Sequence, residues 1–249
     1  MSNEIQIVNT LRDELDVAVT TAKAYPRNVE AFLNEAKSQV SLSPEIARSM
    51  WYSLPRKDAS GKTIAIEGPS IRLAEVVLSC WGNIRIQSRI KEIGDTYVVA
   101  EAIAFDMEKN IAICKEARRR IVNREGLRYS EDMIQQTAQA TTSIAIRNAL
   151  FTIIPKVYIE DILKFAKDIA MVHPKEKKKS LQERFAEAVE KFKRFNISKE
   201  NILKHLNIKN ENEFTEKHLQ YLWGVYNSLD AGDIKPDDVI NTIIEDNLL

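Results

Sequence analysis

The sequence predicts an α+β protein: an antiparallel three-stranded β-meander packed by helices, followed by a small all-α C-terminal module. Three observations carry this. Residues 83–122 hold three extended runs separated by short turns. Helical periodicity flanks these runs on both sides. A charged, proline-containing segment, HPKEKKKS at His173–Ser180, separates this mixed body from a stretch that reads as helices alone.

From the start of the chain, Ile7, Leu11, Leu15 and Val19 fall on one helical face. This reads as an arm, closed by Pro26, that packs on the body or on a neighbouring subunit. A second helix is expected over Val29–Val40. Ser43-Pro44-Glu45 opens a third, with Ser43 as N-cap and Pro44 at the first helical position; it carries Ile46 and Met50 and ends before Pro55. LPRKDASGKTIAIEGPS then reads as a loop interrupted by one short strand, Thr63–Ile66. Helix returns at Ser70 with Leu73, Val76, Val77 and Cys80 as its apolar face, and Trp81-Gly82-Asn83 stops it.

In the first extended run, Asn83–Ile93, Ile84, Ile86 and Ile90 face one way and Arg85, Gln87, Arg89 and Lys91 the other. Gly94-Asp95 is a turn. Thr96–Asp106 has a large face (Tyr97, Val99, Ile103, Phe105) and a small one (Val98, Ala100, Ala102, Ala104) that a helix can approach closely. MEKN is the second turn and Ile111–Val122 the third strand. Ser130-Glu131-Asp132 caps a helix running to Ile153, whose centre, TAQATTSIA, is small enough to lie flat on the alanine face. A further helix covers Ile159–Met171. Beyond the charged segment, helices are expected over Leu181–Phe195, Lys199–Leu206 and Glu216–Leu229, and from Pro236. The domain boundaries are thus 1–172 for the body, 173–180 for the linker and 181–249 for the helical module.

Composition narrows the function. Of 249 residues 44% are apolar, enough for a core, and 36 basic side chains balance 36 acidic ones. Zero net charge argues against a uniformly basic nucleic-acid coat but leaves room for a local basic face. Two cysteines, Cys80 and Cys114, lie among apolar neighbours and read as buried thiols rather than a disulfide framework. The acidic, broken N-terminal segment does not read as a signal peptide, and no run reaches the ~20 apolar residues of a membrane span. A reducing cytoplasm is the expected location.

Catalytic constellations are missing from the pattern. His173, His205 and His218 lack metal-spaced partners and read as surface or helix-packing residues. Gly61-Lys62-Thr63 lacks the leading glycine and strand of a phosphate loop. Asp106 and Glu108 read as solvated turn residues. No enzyme activity, cofactor or metal is expected; the enzymatic alternative is a metal-dependent nuclease using Asp106, Glu108 or Glu101.

The stronger signal is cationic. Lys115, Arg118, Arg119, Arg120, Arg124 and Arg128 fall within one strand and its trailing loop, opposed locally only by Glu116 and Glu125. Arg118 and Arg120 share a face, and Arg85, Arg89 and Lys91 line the outer face of a neighbouring strand. Aligned, they make a track that neutralises phosphates without reading bases, with Tyr97 and Tyr129 near in sequence as stacking surfaces. A solvated, salt-bridged sheet face fits the same pattern. From Glu211 onward acidic residues outnumber Lys217 and Lys235, which suits a protein-docking segment.

GKTIAIEGPSIRLAEVVLSCWGN, then RRRIV and GLRYSEDMIQQTAQATTSIAIRNALFTIIPK, resemble phage single-strand annealing proteins of the Red-beta, RecT and Erf type. The likeness spans about three quarters of the chain, and its most distinctive pieces are Glu67-Gly68-Pro69-Ser70 with Arg72-Leu73-Ala74-Glu75, and Ile146-Arg147-Asn148-Ala149 with Pro155-Lys156. The segment FNISKENILKHLNIKNENEFTEKHLQYLWGVYNSLDAGDIKPDDVI resembles a helical module appended to such proteins. The resemblance implies ATP-independent binding of single-stranded DNA and annealing of complementary strands, a homo-oligomeric ring or filament, and a contact with host single-stranded-DNA-binding protein through residues 181–249. Candidate DNA contacts are Arg72, Arg85, Arg89, Lys115, Arg118, Arg120, Arg124, Arg128, Arg147 and Lys156, with Gly68-Pro69 offering amides at the start of the helix that holds Arg72. The non-enzymatic alternative is a structural or regulatory phage protein whose basic sheet binds an acidic partner.

Overall fold

The structure, a computed structural model, describes residues 2–123, 125–173 and 178–245, with side chains described from residue 13. Its elements in chain order are α1 (Ser2–Ala24), α2 (Val29–Val40), α3 (Pro44–Arg48), β1 (Trp51–Lys57), β2 (Thr63–Pro69), α4 (Ile71–Trp81), β3 (Ile84–Ile93), β4 (Tyr97–Asp106), β5 (Ile111–Arg120), α5 (Glu131–Ile153), α6 (Lys156–Val172), α7 (Leu181–Phe192), α8 (Lys199–His205), α9 (Glu216–Asp230) and α10 (Pro236–Ile240). The α+β class is as expected. The division of the chain is not. Two compact units interleave in sequence, one made of Met1–Glu35 with Val77–Lys156, the other of Ala36–Val76 with Val157–Leu249.

The first unit is built on the meander β3-β4-β5, antiparallel throughout. The small face of β4 explains its helix: Ala100, Ala102 and Ala104, with Ala117 of β5, form one buried cluster with Ala145 and Ala149 of α5. Methyl-sized side chains on both surfaces let the helix lie flat, so tight packing takes the place of large apolar groups. Ser130 caps α5 as expected, its hydroxyl accepting from the Met133 amide. A second cluster joins Val98, Ile121, Ile134 and Ala138, with Tyr129 packed against it. Tyr129 is therefore part of the helix-side packing and is not available on the opposite face. Gly82, at φ +67°, reverses the chain between α4 and β3, a conformation that an L side chain rarely adopts.

Asp106 and Glu108 are not solvated turn residues. Arg27 donates to both oxygens of Asp106 at 2.6 and 2.7 Å, and its backbone amide donates to Glu108 at 2.8 Å. The Arg27 guanidinium also lies 4.4 Å from the centre of the Trp81 ring. Burial raises the Asp106 carboxyl, but the Arg27 hydrogen bonds and the Lys109 and Glu108 amides outweigh it and hold it below its ordinary value. Both carboxylates thus lock the β4–β5 turn to the segment before α2.

In the second unit, the stretch expected as a loop with one short strand is a full hairpin. β1 and β2 pair from Trp51↔Pro69 to Lys57↔Thr63. α3 is correspondingly short, and Met50 precedes a strand rather than ending a helix. The hairpin packs on α9. Trp51 is fully buried and donates from Nε1 to the Gln220 carbonyl at 3.0 Å; Asn227 donates to the Arg48 and Trp51 carbonyls, each at 2.7 Å. Gly224 meets β1 so closely that a Cβ there would lie 2.2 Å from Ser53 Oγ. The linker at 173–180 is therefore not a domain boundary, and residues 181–249 are not a helical module standing alone. Their apolar faces close over a hairpin from the first third of the chain. Within the linker, residues 174–177 lie outside the described residues.

His205 and His218 are packing residues, as expected. His205 is fully buried, with Nε2 2.9 Å from the Tyr221 hydroxyl and Nδ1 2.9 Å from the Thr242 carbonyl. Burial lowers the pKa of both imidazoles. The cysteines depart from expectation: Cys80 is half-buried and Cys114 is exposed. Cys114 belongs to the uncovered face of the sheet.

Candidate nucleic-acid interface

The register settles which side chains share the face opposite α5. Rows across β3, β4 and β5 read Arg85–Phe105–Ala112, Gln87–Ile103–Cys114, Arg89–Glu101–Glu116 and Glu92–Val99–Arg118, and Tyr97 pairs with Arg120. Lys91 occupies an irregularity between Ile90 and Glu92 and bonds Glu116, so it also points to this face. Five cations, Arg85, Arg89, Lys91, Arg118 and Arg120, thus share one surface with three carboxylates, Glu92, Glu101 and Glu116. β4 lies between the two basic strands, so their cations are not on adjacent strands.

The carboxylates divide this surface. Arg89 is held by Glu101 at 2.9 Å and Lys91 by Glu116. The Glu116 hydrogen bond and charge raise the Lys91 pKa. The middle of the sheet is therefore salt-bridged. The two ends are not: Arg85, Arg118 and Arg120 are exposed and carry no ion pair among the described residues.

The end nearest the β3–β4 turn is the richer one. The Arg118 guanidinium lies over the Tyr97 ring, 3.5 Å from its centre. Tyr97 donates its hydroxyl to Glu92 at 2.9 Å, which fixes the ring; that bond and the Glu92 charge raise the phenol's pKa against the opposing charge of Arg118. Tyr97, Arg118, Arg119 and Arg120, with Thr96 and Val122, line a shallow cavity of about 560 Å³. Arg128, across the Val122–Arg128 bridge, donates to the Gly94 and Asp95 carbonyls at 2.7 and 3.0 Å. It braces the turn beside the cavity. From Tyr97 to Phe105 the central strand runs roughly 27 Å at the usual rise per residue. Exposed Ile103 and half-buried Phe105 continue the apolar line toward Arg85.

Other expected contacts lie elsewhere. Lys115 shares a row with Ser88 and Ala102 and so faces the helix side. Arg147 follows the buried Ala145 by two residues, about 200° around α5, and points away from the sheet. Lys156 opens α6, exposed, at the far end of α5. Arg72 belongs to the second unit, where Glu75 holds it at 3.0 Å. The amides after Gly68-Pro69 are also spoken for: the Ser70 hydroxyl accepts from the Arg72 and Leu73 amides, at 3.1 and 3.3 Å. Gly68 is glycine because the Tyr52 ring lies where a Cβ would be. That loop caps a helix. Arg124 lies outside the described residues. Among the described residues, no group of three His, Cys, Asp or Glu side chains is placed to hold a metal ion, and no helix is long and apolar enough to cross a membrane.

No protein-family profile, no curated protein and no solved structure matches this chain. The functional reading therefore rests on the residues themselves.

Proposed function

We propose that this chain binds single-stranded DNA on the open face of its meander and anneals complementary strands without a nucleotide cofactor. The observation that carries the reading is the Arg118–Tyr97 stack with Arg120 beside it, at one of the two ends that flank the salt-bridged middle of the sheet. Guanidinium groups there meet phosphates, and the ring and guanidinium planes offer a stacking surface that tolerates any base. A shallow, sequence-indifferent surface holds the sugar–phosphate chain and leaves base edges turned outward for a second strand. Arg85 at the opposite end gives the strand a second anchor. The paired Glu101 and Glu116 in between keep affinity moderate, which suits a protein that must release the duplex it makes.

The test is strand pairing itself. Two complementary oligonucleotides, one carrying a fluorophore and the other a quencher, are mixed with the protein in the absence of ATP and metal. Pairing at least about tenfold faster than the spontaneous rate is expected, with the gain fading as salt screens the phosphate contacts. An unchanged rate at protein concentrations that saturate the oligonucleotide contradicts the annealing reading.

A further inference from the structure

The two ends of the outer face differ. At one end a single exposed cation, Arg85, shares its row with Phe105 and Ala112. At the Tyr97 end there are two, Arg118 and Arg120, and none of the described residues lining the cavity there is acidic. Glu92, the carboxylate in the row of Arg118, accepts the Tyr97 hydroxyl at 2.9 Å. This end is also crossed by a side chain. Val122 and Arg128 face each other in an antiparallel bridge, so their side chains share a face, the one on which Val122 lines the cavity. From there Arg128 reaches the β3–β4 turn, donating to the Gly94 and Asp95 carbonyls. A nucleic-acid strand lying along β4 from Arg85 therefore meets a crosspiece just beyond Tyr97.

We infer that this cavity is a strand-end site: it takes the terminal nucleotide of a DNA strand and holds its 5′-phosphate between Arg118 and Arg120. The inference rests on the outer face being a single-strand surface. It adds where on that surface the strand stops, and by which end.

The chemistry favours a phosphomonoester over a phosphate inside the chain. A monoester carries about −1.5 to −2 charge at pH 7 and three acceptor oxygens. A diester carries a single charge and two free oxygens. Arg118 and Arg120 start from Cα atoms roughly 7 Å apart on one strand face, so two planar donor forks converge on one group, and each fork suits two oxygens at once. With no acidic side chain among the described lining residues, the second negative charge meets only cations. The volume agrees. At about 560 Å³ the cavity is far larger than a phosphate needs and falls in the range of small-ligand pockets. The nucleoside fills the remainder, its base on the outer plane of the guanidinium that covers Tyr97. A DNA strand ordinarily bears its terminal phosphate on the 5′ carbon and a hydroxyl on the 3′ carbon. The site thus distinguishes the two ends and sets the direction in which the strand runs toward Arg85.

Competition against a 3′-labelled oligothymidylate, read by fluorescence polarisation on the full chain at low salt, tests this. Three unlabelled competitors of one length are used: hydroxyl at both ends, 5′-phosphate, and 3′-phosphate. The 5′-phosphorylated strand is expected to compete on the order of tenfold better than the other two. Arg120→Gln and Arg118→Gln, each at an exposed residue, should weaken binding of all three and remove most of that preference. Arg85→Gln should weaken all three and keep it. Equal competition by the three strands overturns the inference, as does an equal gain from a phosphate at either end, which would mark added charge and not a fitted end. A preference that Arg85→Gln abolishes and Arg120→Gln spares overturns it as well. The equal-competition result leaves the single-strand surface standing, since the strands still bind. Failure of every oligonucleotide to bind overturns both readings.

Discussion

Reversing both charges beside Tyr97, Arg118→Glu with Arg120→Glu, is expected to weaken single-strand binding on the order of a hundredfold at low salt. The loss should be alike for all base compositions, because the contacts are to phosphate. The slope of log affinity against log salt should fall by about two, one for each phosphate contact removed. Both side chains are exposed, and neither carries an ion pair among the described residues. Stability and the circular-dichroism spectrum should therefore stay close to wild type, and a polarisation titration reads binding alone. The matching reversal at Arg147, which α5 directs away from the sheet, gives the contrast. Equal losses at the two sites would mean that the outer face is not the binding surface.

Arg27→Ala is expected to destabilise the first unit by about 3–5 kcal/mol, read from the urea midpoint. Its guanidinium is 6% exposed and holds a carboxylate that is 4% exposed. Removal leaves Asp106 buried without its countercharge, and the Trp81 ring loses the cation stacked on it. The same pair predicts acid lability. Asp106 and Glu108 both titrate below their ordinary values in the folded chain, Glu108 mainly because the Arg27 amide donates to it. Stability from a depressed carboxyl is complete above the unfolded chain's pKa and drains as pH falls through the folded value. The wild-type midpoint should therefore decline as pH drops below about 4. In Arg27→Ala the guanidinium's share of the Asp106 depression is lost while the residue-27 amide still donates to Glu108, so the decline should be smaller than in the wild type.

The contrast between what was legible in the sequence and what was not has a physical basis. The meander and α5 were legible because their signals are local. Alternation over Ile84–Ile90 and alanines at every second position of β4 specify strands and their faces. Ser130 with Glu131 and Asp132 specifies a helix start. The β1–β2 hairpin was hidden by Pro55 and by the Asp58–Lys62 turn, whose residues also suit a loop; Asp58 accepts from the Ser60 and Lys62 amides. What makes Trp51–Lys57 a strand is α9, well over a hundred residues away, and no local window contains it. The interleaving of the two units follows from the same long-range closure.

The candidate site was legible in part. That Arg118 and Arg120 share a face follows from a period of two. Arg89 and Lys91 read as equivalent to them, because the partners that neutralise them, Glu101 and Glu116, sit on other strands and are brought into reach by register. Arg147 was a different kind of miss. The small residues Ala138, Thr141, Ala145 and Ala149 already mark the buried face of α5, and a helical count from them sends Arg147 the other way. Arg27 gives no sequence signal at all: its partner Asp106 lies 79 residues along the chain.

The most direct test of the central claim is where a single strand touches the protein. An oligothymidylate carrying photoreactive 4-thiothymidine is cross-linked to the full chain, and the attached peptides are mapped by mass spectrometry. Adducts at Tyr97 and on the β5 segment around Arg118–Arg120, competed away by unlabelled oligonucleotide, are the predicted result. Competable adducts confined to residues 36–76 or 157–245, with none on the meander, would contradict the assignment of this sheet face as the DNA-binding surface.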